Sequence, residues 1–202
     1  MTLPHPVELG APLPLPTRSA EMLARLAIRR SAPAQSLIEP GPSPTQVHVL
    51  LTLAARSPDH GKLSPWRFVV LGRQTRKEIA ERLAVLAMEK GLPGKATAVL
   101  AKLTAAPVTV LVVSTAGPAS KPEWEQELSA GAVCMNLEHA ANALGFSSSW
   151  ITDWYSYDDD ALALFGIRPG EKVAGFIHIG SLAEPPLERE RPDIAALTTF
   201  LP

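Results

Sequence analysis

The run Pro107-Val108-Thr109-Val110-Leu111-Val112-Val113-Ser114, followed by Ser120-Lys121-Pro122-Glu123 and unbroken helix-forming sequence as far as Gly145, decides how this chain folds. The first part is almost continuously apolar and β-branched. Such a run predicts a strand covered on both faces rather than one that alternates core and solvent. The second part has the residue types of a capping box, serine followed three positions later by glutamate. It predicts a helix ~33 Å long at 1.5 Å per residue, closed by Gly145, whose missing Cβ suits a left-handed cap. Small and apolar residues fill its middle, Ser129-Ala130-Gly131-Ala132-Val133-Cys134-Met135. That composition describes a central core helix and allows the close approach of a second subunit. Glu127, Asn136, Glu138, His139 and Asn142 interrupt it, so it does not read as a membrane span.

Working outward, Met22, Leu23, Leu26 and Ala27 form a stripe at helical spacing over 19–30, which Ser31-Ala32-Pro33 stops. Ser43-Pro44-Thr45-Gln46 opens a second helix with a capping serine, an early proline and a reciprocal glutamine. Ser57-Pro58 ends it, leaving Arg56 in the last turn and His60 just beyond. Trp66-Arg67-Phe68-Val69-Val70-Leu71 reads as a strand, and helices are expected over 74–90 and 93–103. A strand over 147–152, a short helix over 158–165 and a strand over 173–182 complete the pattern. The expected architecture is α+β, a mixed sheet of about four to five strands flanked by helices. Its organisation is an extended arm over 1–18, one domain over 19–182 and an extended tail over 183–202, with prolines concentrated in both ends.

With 46% hydrophobic and 19% charged residues, the composition is that of a globular chain. A formal net charge of −1 supplies no field to attract nucleic acid or an anionic membrane. The N-terminal segment lacks the charged and apolar regions of a secretory signal. Cys134 stands alone, which excludes an internal disulfide and suits a reducing cytoplasm.

Several chemistries lack their residues. No G-x-G-x-x-G follows a strand, and Gly91-Leu92-Pro93-Gly94-Lys95 is too short for a phosphate loop, with Ala96 where serine or threonine is needed. The five histidines show no metal-ligand spacing. Gly145-Phe146-Ser147 lacks the second glycine of a nucleophile elbow. An enzyme built this way would leave the chemistry to a cofactor.

Three segments stand out together: Arg29-Arg30-Ser31; Arg56-Ser57-Pro58-Asp59-His60 with Pro65-Trp66-Arg67-Phe68; and Trp124-Glu125-Gln126-Glu127-Leu128-Ser129-Ala130-Gly131, leading to Gly145-Phe146 and Trp150-Ile151-Thr152. In this order and spacing, from about Met22 to Leu182, they resemble the FMN-dependent nitroreductase family, especially its small, minimal branch. The resemblance implies a homodimer holding FMN at the subunit interface, with NADH or NADPH as hydride donor and an electron-poor small molecule, such as a nitroaromatic or a quinone, as acceptor. It implies that Arg29, Arg30 and Ser31 bind the FMN phosphate and ribityl chain. Guanidinium groups match phosphate oxygens in a bidentate fork; taken alone, two arginines at a helix end would merely complement its dipole. Arg56 and His60 are implied to reach FMN from the neighbouring subunit, and Trp150, Ile151 and Thr152 to touch it from the strand. Residues 140–145 fall where the nicotinamide cofactor is contacted, and Trp124 is a candidate for the substrate pocket. No side chain is required as an obligatory acid or base. Ser64 stands where the family often has glutamine, and no motif places Arg189 or Arg191 as the basic C-terminal phosphate ligand of the larger family. Two other uses of the same fold remain open: a flavin enzyme for one specific metabolite, and a non-catalytic FMN-binding protein.

Overall fold

The computed structural model describes residues 7–201. In chain order the elements are α1 (Ala20–Ile28), α2 (Pro44–Ala54), β1 (Trp66–Leu71), α3 (Arg73–Glu89), α4 (Lys95–Ala98), α5 (Leu100–Ala105), β2 (Val108–Ser114), α6 (Glu123–Ala143), β3 (Ser147–Ile151), α7 (Asp159–Leu164) and β4 (Lys172–Gly180). Short 3-10 turns lie at Ala34–Ser36 and Trp154–Ser156. The first six residues of the expected N-terminal arm, and Pro202, lie outside the described residues.

The four strands form one sheet in the order β1-β2-β4-β3, and every pairing is antiparallel. The expected mixed sheet is therefore corrected. β2 and β3 do run in the same direction, joined by the crossover helix α6, but β4 inserts between them and opposes both. β2 is central and buried along nearly its whole length, as its apolar run predicts. One face, through Val110, Val112, Ile177 and Ile179, packs on α6 and α2. The other, through Leu111, Val113 and Phe176, packs on α3, α5 and α7 with Tyr155 and Phe165. On that second face the fully buried Arg76 guanidinium donates to the carbonyls of Leu103, Ala106 and Pro107 and so fixes the entry into β2.

Local signals explain most of the boundaries. Ser43 and Gln46 make the reciprocal capping bonds of α2, Asp158 caps α7, and Gly145 takes the left-handed conformation, φ +86, after α6. The capping box proposed at Ser120 is absent. Pro122 occupies the N-cap with no side-chain bond, and the turn before α6 is held instead by Gln126, which bonds the backbone of Gly117 and Lys121. The last turn of α2 is also shorter than expected, so Arg56 lies two residues beyond Ala54.

α1 differs in kind. Its Met22, Leu23, Leu26 and Ile28 are all about half exposed or more, and none of its residues is buried. The C-terminal stretch is similar, with Leu187, Ile194, Leu197, Phe200 and Leu201 open to solvent.

Candidate functional site

α6 is the spine on which the candidate residues are arranged. Glu125, Ser129 and Asn136 recur along it, and each holds one point of the segment that leaves α2. Asn136 Nδ2 donates to Ser57 Oγ at 2.8 Å, Ser129 Oγ donates to the Pro58 carbonyl, and Glu125 Oε2 lies 2.5 Å from His60 Nδ1. The chain from Ser57 to His60 therefore runs back along α6 toward its N-terminus. Beyond it, Asp59 accepts from the Ser64 backbone N–H at 2.7 Å. Lys62 and Ser64 adopt left-handed backbone, φ 56 and 48, a conformation that costs about 1–2 kcal/mol per residue for side chains other than glycine. The tether at Asp59 sustains that strained loop ahead of Pro65 and Trp66.

At the opposite end of α6, Glu138 is buried, 2% exposed. Its Oε1 accepts from Ser148 Oγ at 3.0 Å and from Ser31 Oγ at 3.4 Å, and its Oε2 lies 3.7 Å from Arg29 Nη1. Arg29 Nη1 also donates to Ser31 Oγ at 3.3 Å. The main chain fixes this cluster: Ala32 N–H donates to the Ser148 carbonyl at 3.1 Å, tying the end of the α1 segment to β3. Arg30 turns the other way, toward the carbonyls of Leu187 and Ser31. Arg191 from the tail donates to the Arg29 carbonyl at 3.3 Å.

Two clefts adjoin beneath α1. One, of about 210 Å³, is lined by Arg25, Arg29 and Arg30 together with Asn142, Phe146 and Ser147. The other, of about 570 Å³, lies within the size range of small-molecule sites (roughly 300–1,000 Å³) and is bounded by Met22, Leu26, Leu53, Arg56, His139 and Ala140. Arg25 and Asn142 line both. Three arginines line the small cleft, and guanidinium groups are the donor type that suits an anion. The larger, mostly apolar cleft could take a flat organic body.

Of the residues expected from sequence, Arg29, Arg30 and Arg56 line these clefts, and Ser31 lies behind Arg29, bonded to it and to Glu138. His60 and Trp124 are placed elsewhere. Glu125, the partner of His60, lies ~20 Å along α6 from Glu138 at 1.5 Å per residue, and Trp124 is 67% exposed and lines neither cleft. Trp124 projects to solvent from the first turn of α6. Trp150 lies on the edge strand β3, its Nε1 donating to the Ala174 carbonyl at 3.0 Å. Ile151 pairs with Phe176 of β4, and Thr152 Oγ1 accepts from Tyr157 Oη at 2.8 Å. Cys134, one turn from Glu138, is no nucleophile: burial, reinforced by the Glu138 charge, pushes its thiol up to about 12.

Sequence reading missed Arg25 and Glu138, and reached Asn142 only as part of the stretch 140–145. Arg25 stands four residues before Arg29, a spacing that puts both on one helical face. A glutamate between Leu137 and the alanines of a small-residue helix was the visible sign of a buried carboxylate.

The sequence profile of the family described as nitroreductase matches residues 37–181. The Escherichia coli K12 protein named "Putative NAD(P)H nitroreductase YdjA" is 32% identical over 163 residues, which cover 80% of this chain and 88% of that protein. The fold is similar to that of a nitroreductase-like family protein from Bacillus cereus, with a TM-score of 0.77 at 20% identity, covering 93% and 99% of the two chains. It is also similar to a Bacteroides fragilis nitroreductase with bound FMN, with a TM-score of 0.68 at 22% identity, covering 91% and 100%. With a profile matched over most of its length and a relative above 30% identity, this chain belongs to the nitroreductase family.

Proposed function

We propose that the protein is an FMN-dependent oxidoreductase that passes hydride from NADH or NADPH to an electron-poor acceptor such as a nitroaromatic or a quinone, and that it works as a homodimer with FMN between the subunits. The observation that carries this reading is the cationic cleft of Arg25, Arg29 and Arg30 beside the larger apolar cleft, with Arg25 and Asn142 lining both. A phosphate monoester carries about two negative charges near neutral pH, and the donor set of guanidinium and hydroxyl groups fits it. FMN, when bound, supplies a two-electron carrier that accepts hydride at one end of the cycle and returns it at the other. The protein's part is to bind, orient and shield.

Arg29 would hold the phosphate, braced by Ser31, with Arg30 anchoring the adjoining tail. Trp150 and Ile151 sit on the edge strand β3 and Thr152 just beyond it; among the described residues no strand flanks the outer side of β3, which supports hydrogen bonding to the polar rim of a flavin ring. Asn142 and the end of α6 border both clefts and suit a nicotinamide entering beside the ring. Arg56 and His60 would serve the flavin of the partner subunit; the length of α6 between Arg29 and His60 favours this for His60, while Arg56 lines the larger cleft of its own chain and would reach the partner's flavin across the dimer interface. The apolar side chains exposed on α1 and the C-terminal stretch, Met22, Leu23, Leu26, Ile28, Ile194, Leu197 and Phe200, support dimerisation, since large exposed apolar surface marks an interface. The lone Cys134 suits a reducing compartment, which supports a cytoplasmic location; among the described residues no helix is long and apolar enough to cross a membrane.

The purified protein should be yellow, with close to one FMN per subunit, and the colour should bleach on adding NADH or NADPH without oxygen. Reoxidation by a nitroaromatic or quinone completes the expected cycle. Colourless protein that takes up no added FMN would overturn the reading. Bound FMN that neither nicotinamide reduces would point to the non-catalytic use.

A further inference from the structure

We propose that Glu138 is a positioning residue that, with Ser31 as a brace, locks Arg29 in the orientation that grips the phosphate of the flavin, so that it sets the preference for FMN over phosphate-free riboflavin. This rests on the flavin reading above and adds to it a residue that touches no ligand itself.

Glu138 is the only buried carboxylate among the described residues. It comes from the apolar, small-residue part of α6, where an uncompensated charge would be heavily penalised. Its single cationic partner among those residues is Arg29. Arg29 is about a quarter exposed and could otherwise sweep through solvent, as long charged side chains do. Here it cannot leave without stranding a buried charge. The contact engages Nη1, so the other N–H groups of the five-donor guanidinium remain for a ligand in the cleft shared with Arg25 and Arg30.

Ser31 is fixed by the same carboxylate. Its hydroxyl donates to Glu138 Oε1, which leaves its oxygen to accept from Arg29. Ser148 adds a second hydroxyl to that oxygen from β3. The main-chain bond from Ala32 to Ser148 closes the loop. Helix, strand and the segment after α1 thus meet at one carboxylate, and the guanidinium of Arg29, which lines the smaller cleft, is ordered before the ligand arrives. Preorganisation of this kind raises affinity by lowering the ordering cost at binding.

The test is a titration of wild-type, E138Q and S148A protein, stripped of flavin, with FMN and separately with riboflavin, followed by flavin fluorescence. The amide introduced by E138Q keeps an acceptor for both serines and lacks the charge that holds Arg29. We expect E138Q to weaken FMN binding by about 10-fold and riboflavin binding by less than about 2-fold. S148A should weaken FMN selectively by about 3-fold. If E138Q fails to fold, S148A, which keeps the ion pair and loses only one hydroxyl, carries the test. Proportional losses for both ligands, no loss, or tighter FMN binding would overturn the proposal. Wild-type protein that binds both flavins equally would overturn it while leaving the flavin reading intact. Binding of neither would overturn both.

Discussion

Gly175 on β4 lies beneath the indole of Trp150. A Cβ built there would come within 2.0 Å of Trp150 Nε1 and 2.3 Å of Cδ1, far inside van der Waals contact. Trp150 pairs with Ile177 across the strands, so its ring covers the diagonal neighbour two residues along. Gly175 also borders the bulge between Val112 and Val113, where close backbone approach often selects glycine. In Gly175→Ala the indole must swing outward and surrender its hydrogen bond to the Ala174 carbonyl. Overpacking costs about 1–3 kcal/mol and the lost bond about 1 kcal/mol. Together they give about 3 kcal/mol, a fall in Tm of roughly 6–12 °C for a domain of this size. Calorimetry on flavin-free protein is the right assay, because a ligand that binds only the native state adds its own stabilisation. In a Trp150→Ala background the same glycine substitution should cost less than about 1 kcal/mol. A full cost in that background, or a Tm shift below about 2 °C in the wild type, would refute the steric account.

Two groups link stability to pH. His178 is fully buried, with Nδ1 against Thr109 Oγ1 and no partner for Nε2 among the described residues. Burial, with Arg76 and Lys102 adding positive charge, lowers it to about 3. The unfolded chain therefore binds a proton the native state refuses. Stability should fall as pH drops from about 6.5 toward 3, by about 1–2 kcal/mol at pH 5, and denaturant titrations of His178→Asn should lack this component. Glu171 is held at about 2, first by its hydrogen bonds from Arg67. Its contribution is complete above the ordinary carboxylate pKa and fades as pH falls toward 2. Glu171→Gln should cost about 1–2 kcal/mol at pH 7, with the difference from wild type shrinking steadily below pH 4; a constant difference would contradict the assignment.

The strands and the second helix were legible because their signals are local. Trp66 to Leu71 is bounded by Pro65 and Gly72, the Ser43 cap is written in four consecutive residues, and Gly145 stops α6 where a left-handed residue is required. The pairing of β4 between β2 and β3 was not legible, since which strand inserts between two others depends on packing across the sheet. The capping residues at Ser120 lost to Pro122 and Gln126, whose amide makes three bonds that the Ser120 pattern did not reveal. α1 carries the spacing of a core helix, yet its apolar face is open within one chain; periodicity reports that a face will be covered, not by which molecule. For the site, the Arg29-Arg30-Ser31 run was legible, and both arginines line the small cleft, but their different partners were not. Arg29 faces Glu138 while Arg30 grips the tail. That division depends on Glu138, more than a hundred residues away.

Subunit complementation tests the shared-site claim most directly. Arg29→Ala protein and Arg56→Ala/His60→Ala protein should each bind FMN poorly. Unfolded together and refolded as a 1:1 mixture, they should recover tight binding at about a quarter of the sites, because half the random dimers are mixed and each mixed dimer contains one intact pair of contributions. No recovery, with both proteins folded and dimeric, would mean that Arg29 and Arg56 act within a single chain or not at all.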